Sequence, residues 1–373
     1  MELSVYHLPL VGYFGLIAYL LTLVSPQLVR RKQTTGSLAF LGIAVLSLAA
    51  TWTYMALYFQ HSFTEAALRR GVSPQLFSTS QWLQDVSLFN EAWTVVCEQA
   101  DRWWWSQQLC LWTAGPLLMI MAIEGKRQGI SKLWAFMLLG QVVAVSFAQS
   151  LFFAALALTP AVVPKPPAAG APVSRPAGQT WALLLAIVAG CCGTTFIPQA
   201  VGTPYFLPTL LGVHLVVLVP LLPHVPDRPL NFPLSRFYFN FSFIALRLRW
   251  STIAALLDTD ALASSPTKIP AALLALLRSE WDVLWSHPAQ SSISWDVVFA
   301  SLSAIAFMVY DNHRQKMQTL KVTWPVITLL ADVTPLLGVA TTMSLYLAMR
   351  EGKREAREKA EEQLRVAREK KDE

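Results

Sequence analysis

Asp101-Arg102-Trp103-Trp104-Trp105-Ser106-Gln107-Gln108-Leu109-Cys110-Leu111-Trp112 decides how this chain is read. The stretch opens on a charge pair and sets four tryptophans within ten residues. It then runs without a break into an apolar span, Leu111 to Ala122. At 3.6 residues per turn, Asp101, Trp104, Trp105, Gln108 and Trp112 share one helix face. That face holds one acid, one amide and three large π surfaces at the margin of a membrane helix. An interfacial belt of tryptophans accounts for the rings. The acid and the glutamine add a second reading, a binding or catalytic site.

Outward from this block the same character persists. Of 373 residues, 54% are hydrophobic and 14% charged, against roughly 25% charged in a soluble domain. Apolar runs recur along the whole length, which predicts an all-α, polytopic transmembrane helical bundle of roughly seven to nine spans. Residues 1–349 form the bundle and 350–373 a charged tail of mixed sign, a solvated cytosolic helix. The net charge of +6 fits basic cytosolic loops, and no basic patch interleaved with aromatics points to nucleic acid. The lipid bilayer is therefore the expected surrounding, and the endoplasmic reticulum the expected membrane. Cys97, Cys110, Cys191 and Cys192 lack metal-ligand spacing and read as small buried hydrophobes.

Taken in order, Tyr6 to Val24 is a first span closed by Ser25-Pro26, and Arg30-Arg31-Lys32 place the next loop in the cytosol and the N-terminus in the lumen. Ser37 to Phe59 is a second span, and His61 to Ser80 a lumenal loop. Gln81 to Gln99 is an interfacial amphipathic segment carrying Trp82, Asp85 and Glu91. Arg102 to Ile123 is a third span, with Pro116 a possible kink, and Leu133 to Leu158 a fourth. Thr159 to Thr180, rich in Pro, Ala and Gly, is a flexible lumenal spacer. Trp181 to Ile197 and Phe206 to Leu222 follow, the latter with His214 as a hydrogen-bonded structural group. Phe237 to Leu257, whose Arg247 and Arg249 snorkel, and Ala271 to Trp285 either span or lie in the interface. Ser292 to Tyr310 is a clear span, and Val322 to Met349 the last. A lumenal N-terminus and a cytosolic tail require an odd number of spans. That parity puts the basic loop Asn312 to Lys321 on the lumenal side, against its charge, so the charge rule does not satisfy both ends.

No Walker loop, dinucleotide fingerprint, HExxH or GxSxG occurs, and no DDxxD-like cluster is present to hold magnesium and diphosphate. What remains is a sparse set of acids near or within apolar spans. A carboxyl in hydrocarbon resists ionisation, and a preorganised neutral carboxylic acid is suited to general acid chemistry. Neighbouring aromatic faces stabilise positive charge. Asp101, Asp332, Asp85 and Glu91 are the candidate catalytic acids; Trp104, Trp105, Gln108, Trp112 and Trp82 are the candidate substrate-binding residues. No metal or other cofactor is expected. Each acid has a plainer role beside it: a helix N-terminal charge or a salt bridge to Arg102 for Asp101, an interhelical hydrogen bond for Asp332, a solvated face for Asp85 and Glu91. Glu124, beside Lys126 and Arg127, reads as a loop charge, and Asp296 and Asp311 as interface residues.

With its acid-dotted, aromatic spans and its Arg102-Trp103-Trp104-Trp105-Ser106-Gln107-Gln108 block, the chain resembles fungal membrane-integral terpene cyclases of meroterpenoid pathways, most closely those of ascochlorin and ascofuranone biosynthesis. The resemblance runs from the first span to the last. It implies a helical-bundle enzyme that cyclises, without a metal, an epoxidised farnesyl chain borne on an aromatic polyketide. It transfers no catalytic residue. The expected partner is thus a hydrophobic isoprenoid substrate. Two rival classes stay open: a small-molecule or proton-coupled transporter, with Pro116 or Pro325 breaking helices at the site, and a structural membrane protein whose tail recruits partners.

Overall fold

The computed structural model describes residues 5–29, 31–159, 180–223, 225, 228–315 and 320–372. The expected spacer falls almost wholly on residues 160–179, and Arg30 and residues 316–319 of the basic loop also lie outside the described residues. The described residues contain helices and a single β-bridge, Thr180–Pro229. Five helical stretches are long and apolar enough to cross a membrane: Val5–Val29, Thr35–Arg69, Ala100–Gly125, Trp181–Ala200 and Pro288–Arg314.

The elements are α1 (Leu8–Val24), α2 (Thr35–Arg69), α3 (Thr79–Asp85), α4 (Leu88–Cys97), α5 (Ala100–Gly125), α6 (Leu133–Val142), α7 (Val145–Leu158), α8 (Trp181–Ala200), α9 (Phe206–Val216), α10 (Leu234–Leu256), α11 (Ile269–Leu284), α12 (Pro288–Arg314), α13 (Trp324–Leu337) and α14 (Val339–Asp372). The Trp-rich block opens α5, the axis of the bundle. Leu118, Met119, Ile120 and Met121 of α5 are fully buried. Pro116 lies in a π turn, Thr113–Leu117, whose wider spacing tolerates the missing N–H, and the helix continues to Gly125. With 26 residues, α5 is about 39 Å long, so Asp101 and Glu124 mark opposite ends of the molecule.

Contacts at these two ends fix the course of the chain. At the Glu124 end, Gln27 bonds Ser131, Arg31 donates to Leu158 O, Arg314 donates to Leu156 O and Gln128, and Ser235 N donates to Glu355. At the Asp101 end, Arg70 pairs with Asp85, Trp105 Nε1 donates to Glu280 O, and Ser291 Oγ donates to Leu284 O. Thr34 opens α2 with a capping box, and α2 continues to Arg69, ten residues past the expected end of the second span. The segment expected as one amphipathic helix is two, α3 and α4, divided at Val86 and Ser87.

Two expected single spans are helical hairpins. α6 starts at the Glu124 end and stops at Val142, in mid-bundle, where Val142 O accepts from Tyr13. α7 then returns to the same end. The first turn of α7 would leave amide groups without acceptors in an apolar interior. Asp296, reaching in from α12, supplies them: its carboxylate accepts from Val145 N (2.9 Å), Ser146 N (2.7 Å) and Ser146 Oγ (2.5 Å). Asp296 is thus a buried helix cap, not the interface residue expected. Likewise α13 and α14 make a hairpin from the Glu124 end, closed across by Thr334 and Thr342 (2.8 Å) and turned at Gly338.

Gly338 adopts φ 79° and ψ 145°, a region essentially confined to glycine. Gly338→Ala should therefore lower stability by about 1–3 kcal/mol, read as a lower thermal midpoint of the detergent-solubilised protein.

Because the last apolar stretch turns back, the parity conflict disappears. Asp311, Lys321 and Arg350 all sit at the Glu124 end, joined by Arg350–Asp311 (3.1 Å) and Lys353 to Lys321 O (2.6 Å). Glu124 is no loop charge either. It is buried in an ion network with Arg127 (2.9 Å) and Arg350, which also engages Glu351 (2.7 Å from Arg350). Tyr346 donates to Asp311, which joins this network through Arg350.

Candidate functional site

Asp101 occupies the first turn of α5. Its Oδ1 accepts from Arg102 N at 2.6 Å, while the Arg102 guanidinium turns away to Val95 O at 3.3 Å. The dipole role expected of this acid is present; the Arg102 salt bridge is not. Asp101 faces an open groove of about 600 Å³ between the start of α5, the end of α10 and the body of α11. Leu256, Leu257, Ala272, Ala275 and Leu276 form its apolar wall, and Asp101 and Glu280 are among its polar members.

Glu280 is the residue that sequence reasoning missed. It lies on α11, is only 1% exposed, and its Oε2 has no hydrogen-bond partner in the protein. An unpaired buried polar atom costs about 1–3 kcal/mol, so its retention calls for an explanation. Burial, and then the neighbouring Asp101 charge, push the Glu280 carboxyl up to about 8, with Arg249 pulling the other way. Near neutrality it holds its proton. A signal existed: Leu276, Glu280 and Leu284 recur every fourth residue and are all buried, so the acid sits within the apolar stripe of the helix.

Behind Glu280 stand the tryptophans. Trp105 Nε1 donates to Glu280 O at 3.0 Å, and the Trp104 and Trp105 rings meet edge-on with centroids 4.9 Å apart. Trp104 is covered by Arg249, whose guanidinium carbon lies 3.9 Å from the ring centre. Arg249 does not snorkel. It is 1% exposed, and it donates to Trp104 O (2.7 Å) and Leu336 O (3.0 Å). Gln108 donates to Trp104 O at 3.2 Å. The groove wall contains no indole, and the π face of Trp104 already serves a cation of the protein itself.

The other candidates lie elsewhere. Trp112 points into the core and donates to Gln149 Oε1 at 2.6 Å. Trp82 packs on Phe59 and Phe63 and donates to Ser62. Asp85 is exposed and paired with Arg70 at 2.5 Å. Glu91 accepts from Ser62 (3.2 Å) and borders a separate groove of about 450 Å³ with His61 and His287. His287 caps α12 by accepting from Ala289 N, and burial, His61 and Arg102 pull it down to about 4. Asp332 is exposed on the outer face of α13 and does not line the groove. His214 bonds Leu210 O, as expected of a structural histidine. Cys97 and Cys191 are buried and Cys110 half-buried, but Cys192 is exposed. Among the described residues no three His, Cys, Asp or Glu side chains gather as a metal site.

A family profile described as a protein of unknown function, DUF2834, matches residues 237–352. The match covers under a third of the chain. No curated protein and no solved structure matches. The matched segment contributes Arg249, Glu280, Asp296, Arg350 and the α13–α14 hairpin. The Asp101 groove therefore joins one wall from inside that segment to one, the start of α5, from outside it.

Proposed function

We propose that this protein is a membrane-bound terpene cyclase that opens an epoxide of an apolar isoprenoid chain by proton transfer, without a metal. The observation that carries the reading is Glu280: a buried carboxyl whose Oε2 has no partner, close to a second carboxyl at the edge of a leucine- and alanine-walled groove. The chain of the substrate lies in the groove. The Glu280 proton passes to the epoxide oxygen as its C–O bond breaks, and an alkene π pair forms the new C–C bond. Asp101, as carboxylate, steadies the resulting cation electrostatically, takes its proton, and returns it to Glu280. Substrate and product are isomers, and the acid pair is regenerated. The tryptophans serve as the support that fixes Glu280 and Arg249, a smaller part than the sequence gave them.

Arg31, Lys126, Arg127, Lys132, Arg314, Lys321 and Arg350 gather at the Glu124 end, against Arg69, Arg70 and Arg102 beside Glu91, Asp85 and Asp101 at the other. Under the positive-inside rule the Glu124 end and the tail are cytosolic and the groove is lumenal, in the endoplasmic reticulum. In this reading the five long apolar helices (α1, α2, α5, α8, α12) cross the membrane, and α10 with the shorter apolar run Phe206–Leu221 brings the number of crossings to seven.

The test is turnover of an epoxyfarnesyl phenol by the detergent-purified protein. Asp85→Asn, Glu91→Gln and Asp332→Asn should keep the parent rate, while Asp101→Asn should lose about 10²-fold or more. Parent-like turnover by Asp101→Asn and Glu280→Gln alike sinks the reading. A second reading, a proton-coupled carrier, draws on the two broken helices and on Asp296 at the α7 break. It requires proton or solute flux in proteoliposomes, which a cyclase does not give.

A further inference from the structure

The groove beside Asp101 carries a charge pattern that epoxide opening does not use in full. Three carboxyls line it, Asp101, Asp258 and Glu280, and among the described residues that line it there is no Lys, Arg or His. They grade inward: Asp258 is exposed, Asp101 half-buried, and Glu280 1% exposed. Acids on a rim are ordinary solvated charges. Glu280 differs, because its Oε2 is buried without a partner in a residue that lines the groove. An acceptor held idle in this way costs free energy until something donates to it. Ala272, Ala275, Leu276, Ser279 and Glu280 follow one another at helical spacing, so they form one face of α11. From Ala272 to Glu280 that face runs about 12 Å, apolar at one end and acidic at the other. The groove volume of about 600 Å³ suits a small amphiphile.

We infer that this groove binds a lipophilic amine, with the protonated ammonium head between Glu280 and Asp101 and the apolar tail along Ala272, Leu276 and Leu256. The site shares its groove with the cyclase reading but needs no proton transfer, and its ligand class is a different one. A primary ammonium brings three N–H donors, enough to meet the idle Oε2 and the Asp101 carboxylate together. A neutral alcohol brings one donor and no charge, and a carboxylate adds negative charge to an acidic groove. Arg249, a cation that acts on Glu280, is stacked on Trp104 and does not line the groove, so it does not fill this place. After burial, it is the Asp101 charge that keeps the proton on Glu280. A bound cation offsets that charge, so Glu280 releases its proton to solvent as the ammonium docks. Asp101 and Glu280 as carboxylates then balance the ammonium and Arg249.

Equilibrium binding of dodecylamine, dodecanol and dodecanoate to the protein in zwitterionic lipid nanodiscs, corrected with empty nanodiscs, tests the site. The parent should bind the ammonium more tightly than the alcohol by about tenfold or more, the worth of one charge-assisted hydrogen bond, and the carboxylate most weakly. Glu280→Gln and Asp101→Asn should each cut the ammonium-over-alcohol preference several-fold. Asp85→Asn, at the same end of the molecule but outside the groove, should leave it unchanged. Equal binding of ammonium and alcohol by the parent, or a preference that survives both Glu280→Gln and Asp101→Asn, overturns the site, since attraction is then to the acidic end at large. Binding is read without turnover, so the two ideas separate. Ammonium-selective binding by a protein that forms no product keeps the amine site and removes the cyclase, and product without ammonium selectivity does the reverse.

Discussion

Glu280→Gln should lower turnover of an epoxyfarnesyl phenol by about 10²–10⁴-fold, the range usual for a general acid, with the helical fold intact. Gln fills the same volume and keeps the Trp105–Glu280 backbone contact, but it has no proton to give. In the parent, kcat/KM should stay level below about pH 8 and fall tenfold per unit above it, because the proton-bearing form acts and the Glu280 carboxyl is pushed up to about 8. Stability carries the same signature. The folded state holds this proton where the unfolded chain, near 4.5, has lost it. Folding stability is therefore given up as pH rises from the unfolded value to the folded one. Glu280→Gln should remove that slope, so the variant gains on the parent in thermal midpoint between pH 5 and pH 8. A parent profile flat to pH 9, together with full activity of Glu280→Gln, assigns Glu280 a packing role only.

Asp296→Ala should be the most damaging single change to the fold, at about 3–5 kcal/mol, from the loss of a charged cap with three buried donors. It strands Val145 N and Ser146 N at a helix start enclosed by the bundle, with no water to replace the carboxylate. Asp296→Asn retains one good acceptor and should lose less. The comparison is made by thermal denaturation in detergent, with Asp332→Asn as control. Asp332 is exposed, so its replacement should shift the midpoint by less than about 0.5 kcal/mol equivalent. Equal midpoints for Asp296→Ala and the parent contradict the capping account of the α6–α7 hairpin.

Much of the architecture is legible in the residues because hydrocarbon imposes long apolar helices: the α-class, the start of α1, the basic loops and the central place of the Trp block all follow from run length and charge. The hairpins do not. A stretch such as Leu133 to Leu158 carries no charge, and its break at Val143 and Ala144 contains neither Gly nor Pro. The cap that permits it comes from Asp296, some 150 positions away, and no local pattern reports such a partner. Gly338 gives a visible turn residue, but the expected span simply ran through it. Near the groove, Asp101 is readable from helical spacing on one segment, but the tryptophans of that face turn to Glu280 O, Arg249 and Gln149 and not into the groove. Glu280 and Arg249 are not readable, since their meaning arises only where α10 and α11 pack on α5. Asp332 shows the converse: its apolar neighbours in sequence say nothing of facing, and it lies on the outward face of a hairpin helix, outside the groove.

Glu124 and Arg127 find their final partners, Arg350 and Glu351, more than 220 positions later in the chain. At a synthesis rate of 5–20 residues per second, α5 waits roughly 11–45 s on the ribosome before those partners emerge. During that interval the two charges have only each other, and the bundle stays unlatched at the end from which the nascent chain is fed. The molecule is thus sealed by a segment translated long after α5, and any product ending before Arg350 leaves that seal open.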